Sequence, residues 1–383
     1  MNNGWITCFL GEICDVTTGR RPNVKTNSPS NEMNIPVYGG NGIAWYTNEF
    51  LLNIDSPVIL TGRVGTLGTY FRVVGKCWVS DNALIIIPRT VDPDFLYYYM
   101  KMLPIESLNR GSTQPLLTQS DLKQIRLFIP KDIKKQKKIS NVLKILDAKI
   151  ELNTDINKNL EEQAQALFKS WFIDFEPFGG TMPEDWKVGI ADDIITLFDS
   201  QRIPLSSNQR ENMEKIYPYY GATSLMDYVD KYIFNGKYLL LGEDGTVVDD
   251  YGFPILQYVW GKFWVNNHAH ILQGRNGFTV ESLYLFFKCT NVKSIVTGAV
   301  QPKINQANLK SIPAIIPTIN VMSNFNNVIN PLFSLFRKNV EENSRLATLR
   351  DTLLPKLMSG EIDVSKVEIS DHDYVEKLSF SGA

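Results

Sequence analysis

The chain has 383 residues, beyond the size of a usual single core, so two or more domains of about 150 residues each are expected. Its apolar share of 44% and charged share of 21% exclude bulk disorder, and its four cysteines (Cys8, Cys14, Cys77, Cys289), with no CxxC pair and no histidine at zinc-finger spacing, exclude a disulfide frame and a structural zinc. A net charge of −2 excludes the strong basic excess of many nucleic-acid binders while leaving local clusters open, and with no apolar run near the roughly 18 residues of a membrane span and no secretory pattern at the start, a cytoplasmic location is expected.

In chain order, the first 130 or so residues read as mixed α/β with many short strands. Apolar, β-rich runs such as SPVILTGR (56–63) and CWVSDNALIII (77–87) are bounded by Gly, Pro, Asn and Asp, and DPDFLYYYMKML (92–103) is a helix candidate. The segment GSTQPLLTQSDLKQIRLFIP (111–130) follows; QSDLKQI has a Ser/Asp cap before a short helical turn, and RLFIP is a brief strand stopped by proline. From residue 134 a long helix is expected, about 40 residues or 60 Å, with apolar residues at heptad spacing at Ile139, Val142, Leu146, Ile156, Leu160 and Leu167.

Then the pattern starts again. GAVQPKINQANLKSIPAIIP (298–317) matches 111–130 at nine of twenty positions with a constant offset of 187. NIPVYGGNGIAWY (34–46) faces IYPYYGATSLMDY (216–228), ILTGRVGTLG (59–68) faces LLLGEDGTVV (239–248), and CWVSDNALII (77–86) faces FWVNNHAHIL (263–272). The second copy closes with another heptad helix carrying Phe325, Val328, Ile329, Leu332, Leu335, Phe336, Leu346, Leu349 and Leu353. The chain is two tandem copies, roughly 1–178 and 181–360, and a repeat this long is a duplicated domain rather than a solenoid unit. Each helix has one apolar seam in need of a partner. At an offset of 186, Asn153 and Asn339 share a heptad position near the middle of their helices, so in an antiparallel pair they meet and fix register; the alternative is that both face water. The expected fold is α+β: two tandem mixed α/β domains separated by two long helices packed as an antiparallel coiled coil with pseudo-two-fold symmetry.

Catalytic constellations are poor. GRVGTLG (62–68) lacks the strand–loop–helix continuation and later acid of a dinucleotide site and reads as strand-connecting turns. His268 and His270 in HAH have no evident third ligand, PEDWK at Pro183 sits in a linker beside Gly179 and Gly180, and neither an NPPY or DPPY signature nor a methyl-donor loop is present. No catalytic residue and no metal site is expected.

The ordered elements LGEICDVTTGRRP, IPVYGGNG, LTGRVGTLG, GSTQPLLTQSDLKQIRLFIP and the long helix, followed by a degenerate second round ending in LRDTLLPKLMSGEI, resemble the specificity subunit of type I restriction-modification systems along nearly the whole chain. The resemblance implies target recognition domains at 1–131 and 177–318, conserved helical regions at 132–176 and 319–360, and a polar tail at 361–383. It implies a non-catalytic DNA-binding subunit whose domains each read one half of an asymmetric bipartite site on double-stranded DNA, with the coiled coil as ruler. Its partners are two modification (methyltransferase) subunits and the restriction motor/nuclease subunits. S-adenosylmethionine, ATP and Mg belong to those partners, and none is bound by this chain.

The two copies differ where readers of different half-sites should. Arg63 in the first faces Glu243 and Asp244 in the second; an arginine suits guanine and a carboxylate can accept from a cytosine amino group, unless both loops are solvated turns. Arg20, Arg21 and Lys25, answered by Arg202 and Arg210, are candidate phosphate or groove contacts. Tyr38, Asn41, Trp45 and Tyr46, with Tyr219, Tyr220 and Ser224, offer aromatic and polar groups to DNA or belong partly to the core. Thr66, Thr113 and Lys303 complete the candidate DNA contacts, and Asn153, Asn339, Leu146, Leu160, Leu332 and Leu346 are the candidate register and seam residues. Gln114-Pro115 and Gln301-Pro302 are expected to seat each domain on the helix of the other copy. The lysines from Lys131 to Lys138 are either a solvated helix start or a phosphate patch. Two rivals remain: a scaffold binding protein or other ligands across a coiled-coil spacer, and a self-sufficient methyltransferase, against which the missing donor loop counts.

Overall fold

Runs of β-branched and aromatic residues, interrupted by glycine turns, form strands in both halves of the computed structural model, which describes residues 4–64, 67–104, 116–298 and 300–365. By contacts the chain divides into two units, Met1–Leu152 with Glu342–Ala383, and Asn153–Glu341.

In the first unit the described strands form a six-stranded sheet in the order Cys14–Thr18, Ala83–Pro88, Leu52–Gly62, Tyr70–Val79, Ile35–Gly39, Gly42–Thr47. Neighbours are antiparallel except Ile35–Gly39 and Tyr70–Val79, where Val37 lies opposite Trp78 in a parallel pair. The helix Pro93–Met102 forms where expected; Asp92 accepts from the Phe95 amide at 2.9 Å and Pro93 occupies the first turn, which needs no donor there. Its Phe95 and Leu96 are fully buried with Leu10, Ile59, Leu84 and Ile86. The proline-stopped segment Arg126–Pro130 is a strand, paired antiparallel with Trp5–Phe9. The turn before it, Gln119–Lys123, is capped by Thr118 in a box with Asp121 rather than by the expected Ser120.

In the second unit the same order appears as two four-stranded sheets. One runs Ile195–Leu197, Ala269–Gly274, Tyr238–Gly242, Leu256–Val259; the other runs Leu225–Val229, Tyr217–Tyr220, Lys262–Val265, Phe234–Asn235. The breaks fall at Gly236 and Gly261, whose φ values of 139° and 81° turn the strands out of line. The helix Val280–Lys288 is capped by Thr279, and the strand Pro313–Ile316 pairs with Lys187–Ile190 as its counterpart does.

The long helices are Ile133–Phe172 and Ile319–Ser359, 40 and 41 residues. Each helix contributes part of its length to each unit. In the first unit Lys149 pairs with Glu342 at 3.5 Å and Asp147 with Arg350 at 2.6 Å, while Asn343 donates to the Ile150 carbonyl at 3.2 Å. In the second, Asn157 donates to the Phe336 carbonyl at 3.2 Å and the Phe172 and Phe325 rings meet at 4.7 Å. Within each unit the two helix segments therefore run in opposite directions. The amide that bonds Asn339 is Asn157, at 2.9 Å, one turn beyond the expected Asn153; both Asn153 and Asn339 are buried, not solvated. Leu146, Leu160, Leu332 and Leu346 are half-buried.

Both units lock a globular helix to a long helix through a carboxylate in its first turn. In the first unit Asp94 is bound by Arg72 and, at 2.6 Å, by Lys144. In the second, Glu281 is bound by Lys237 at 2.5 Å, Tyr258 at 2.8 Å and Arg337 at 3.0 Å. Burial pushes both carboxyls up, and these donors more than reverse it, so each ends below its usual range. Among the described residues no helix is long and apolar enough to cross a membrane.

Candidate nucleic-acid interface

The variable loops hang on matched backbone clamps. In the first unit the Arg63 amide donates to the Asn82 carbonyl and the Leu117 amide donates to the Arg63 carbonyl, both at 2.9 Å. In the second, the Glu243 amide donates to the His268 carbonyl and the Ile304 amide to the Glu243 carbonyl, again both at 2.9 Å. Arg63 and Glu243 therefore occupy one backbone position in two settings. The segment written twice supplies Leu117 and Ile304. The carbonyl of Pro302 accepts from Gly245 at 3.0 Å, so this part of the segment braces a loop of its own unit. Gln114 and Pro115, like Thr66 and Thr113, lie outside the described residues, as does 366–383 of the tail.

A second shared device is an indole. Trp78 Nε1 donates to the Arg20 carbonyl at 2.6 Å and Trp264 Nε1 to the Ile203 carbonyl at 2.6 Å, pinning the start of each long polar loop. Sequence reading did not single out these tryptophans, although the aligned CWV and FWV carry them at the same place.

Side chains on the two frames behave differently. In the first unit Arg20 is exposed with its guanidinium 5.3 Å from the centre of the Trp78 ring, and the Lys25 ammonium sits 3.4 Å from the centre of the Trp45 ring. Arg21 meets Asp81 at 2.9 Å but is 83% exposed, so water screens the pair. The half-buried Arg63 side chain has no hydrogen-bond or ion-pair partner among the described residues. Asn41 is exposed, Trp45 and Tyr46 are half-buried, and Tyr38 packs against Phe71 with its phenol pushed up by burial.

In the second unit the charged candidates are bound to one another. Arg202 donates to Glu243 at 2.5 Å and to the Ala269 carbonyl at 2.9 Å, and Lys303 reaches the other Glu243 oxygen at 3.2 Å. Arg210 bonds Asp227 at 3.1 Å and lies over the Tyr219 ring, and Lys215 holds the same Asp227 at 2.9 Å. Tyr219 is buried, its hydroxyl accepting from the Leu205 amide, and Tyr220 is half-buried; Ser224 is exposed, and Asp244 is bonded to His268 at 2.7 Å.

Beneath lies a network that sequence reading missed. His270 is fully buried; its Nε2 donates to the Ile304 carbonyl at 2.7 Å and its Nδ1 faces Asp199 Oδ2 at 2.6 Å. A carbonyl only accepts, so Nε2 carries a proton, and a further proton bridges Nδ1 and the carboxylate. Asp199 also receives the Ile271 amide at 2.9 Å and Gln306 at 2.7 Å. Burial pushes its carboxyl up, but the bonds from His270 and Ile271 prevail and leave it below the ordinary range. Donor atoms of Asp199, Glu243 and His270 lie within 4.8 Å of one another, which is metal-ligand spacing. Yet Nε2 is held by a carbonyl, Nδ1 by Asp199, and Glu243 by two cations, so the set fits a structural ion network better than a cation site. Elsewhere, burial pushes the Cys14 thiol up to about 12 and Cys77 up to about 11, which leaves neither as a nucleophile at neutral pH.

The two matched frames agree with a family match to each copy. Residues 2–162 and 183–329 each match the family described as "Type I restriction modification DNA specificity domain". The type I restriction enzyme MjaIX specificity subunit of Methanocaldococcus jannaschii is 26% identical over 424 residues, covering 95% of this chain and 94% of its own. The HindI specificity subunit of Haemophilus influenzae is 31% identical over 186 residues, 46% of this chain and 34% of its own. In fold, the chain is similar to the crystal structure of the type I restriction-modification S subunit from M. genitalium, with a TM-score of 0.61 at 18% identity, covering 93% of this chain and 97% of that one. With both copies matched, the chain belongs to the type I restriction-modification DNA specificity family.

Proposed function

We propose that the chain is the sequence-reading subunit of a type I restriction-modification complex, its recognition domains at 1–131 and 177–318 each contacting one half of an asymmetric bipartite site. The observation that carries this is the pair of identical backbone clamps presenting Arg63 in one copy and Glu243 in the other: one frame, two sets of groups for base edges. In this reading the first half-site is contacted by Arg20, Arg21, Lys25, Asn41, Trp45 and Arg63. The second is contacted by the exposed Ser224 and by the rim of the Arg202–Glu243–Lys303 network, whose charges are largely neutralised within the protein.

The opposite helix directions within each unit support an antiparallel coiled coil with pseudo-two-fold symmetry as the ruler for unread DNA. Methyl transfer then falls to two modification subunits carrying S-adenosylmethionine, and cleavage to motor subunits using ATP and Mg. The chain itself contributes sequence choice and no catalytic group.

Methylome sequencing of cells carrying this chain with its modification subunits tests the proposal. A bipartite methylated motif is expected, and exchanging residues 1–131 for those of a relative changes one half of it alone. DNA binding that is indifferent to both sequence and salt is the outcome that sinks the reading and leaves a scaffold in its place.

A further inference from the structure

The hairpin of the first unit lines an open pocket of about 450 Å³. Its walls include Asn41, Ala44, Trp45, Ser80 and Asn82. Asn41 and Asn82 are exposed, and their side-chain amides have no partner among the described residues. The second unit puts Met226 where the first has Ala44, as the aligned hairpins show. There the thioether crowds Gly221, whose hypothetical Cβ would lie 2.4 Å from the Met226 sulfur, and the sulfur accepts from Asn266 at 3.3 Å. The counterpart of Asn82 is His268, which is bonded to Asp244. At the positions of Ala44 and Asn82 the second unit thus carries a larger side chain and a bonded one.

A polar pocket with two free amides on its walls and an indole beside them suits the edge of a nucleobase. An asparagine amide, one donor beside one acceptor, matches adenine N7 and N6 bidentately and matches no other base edge as well. The Lys25 ammonium on the Trp45 ring adds a cation at the rim for the adjoining phosphate. We propose that this pocket reads an adenine at one fixed position of the first half-site, with Asn82 as the principal specificity-determining residue and Asn41 supporting it, and that the second half-site is read without such a pocket. This rests on the reading of the chain as a DNA-recognition subunit.

The experiment compares methylation motifs of the full complex carrying wild-type chain, Asn82→Ala or Ala44→Met. Asn82→Ala removes an exposed side chain, and discrimination at one adenine of one half is expected to fall about tenfold or more while the other half is untouched. Ala44→Met installs the side chain that the second hairpin already accommodates, and it should relax the same position. An unchanged motif in both variants overturns the pocket assignment while leaving the subunit function standing, as does a change confined to the other half. A wild-type complex with no bipartite motif overturns the function reading and this inference with it. Should Ala44→Met fail to fold, Asn82→Ala alone decides.

Discussion

The first and second reading loops share a frame and differ in where their charges go. In the first copy, Arg20, Lys25 and Arg63 lie over rings or without ion partners; in the second, Arg202, Glu243 and Lys303 are bound in ion pairs above a buried histidine, and Arg210 is paired with Asp227. The first surface leaves these cations without ion partners, while the second uses its own to hold itself together. Net charge hides this: the second globular segment is slightly acidic, yet Asp192, Asp199, Asp227, Glu243, Asp244 and Glu281 are all held in internal pairs. A family can thus vary recognition in two ways, by exchanging free side chains or by rebuilding the network that fixes them.

The largest effect expected from breaking this contrast is at the buried pair. His270→Ala leaves Asp199 buried without its main partner and should cost about 3–5 kcal/mol, read as a lower urea midpoint. The residue that matches Asp199 in the first copy is Thr18, whose hydroxyl only accepts from Gln119 at 2.7 Å, so Thr18→Ala should cost about 1 kcal/mol. Equal losses at both sites would refute the idea that the second copy depends on internal ion pairs.

Next come the shared tryptophans. Trp78→Phe and Trp264→Phe each strip the loop carbonyl of its donor and should cost about 1–2 kcal/mol in either copy, with the loop peptides exchanging amide hydrogens faster. Acid should separate the copies again. The carboxyls of Asp199, Asp227 and Glu281 in the second unit are all held below their ordinary range, against Asp94 in the first. A depressed native value adds stability above the unfolded one and loses it as pH falls through the native one. The second unit should therefore loosen first as pH drops below about 4, the exposed Asp227 contributing least; pulse-labelled hydrogen exchange of peptides from each unit measures the order. The smallest effect is Arg21→Ala, within about 0.5 kcal/mol of wild-type stability because its ion pair is exposed, but lowering the salt slope of DNA binding by about one.

Much of this was legible in the chain. The duplication, both long helices, the capped helices and the proline-stopped strands all follow from local pattern, because period and caps act between near neighbours. The helix register was one turn off: the heptad count marks Asn153 opposite Asn339, and only packing decides that Asn157, beside the seam residue Ile156, takes Asn339. The Asp199–His270–Glu243 network escaped because it joins residues 71 apart in sequence, and HAH, set aside as a metal fragment, gives no sign that Ile304 and Asp199 occupy both ring nitrogens of His270. The pairing of Arg63 with Glu243 by alignment was sound as geometry; what alignment did not reveal is that Glu243 arrives with two cations attached.

The clamps around Arg63 and Glu243 consist only of peptide N–H and carbonyl groups. The clamp itself does not sense which side chain stands at Arg63 or Glu243, although proline is barred at Arg63, Leu117, Glu243 and Ile304 for want of a hydrogen, and the buried Leu117 and Ile304 must stay apolar. Diversification of target preference is thereby uncoupled from the survival of the fold.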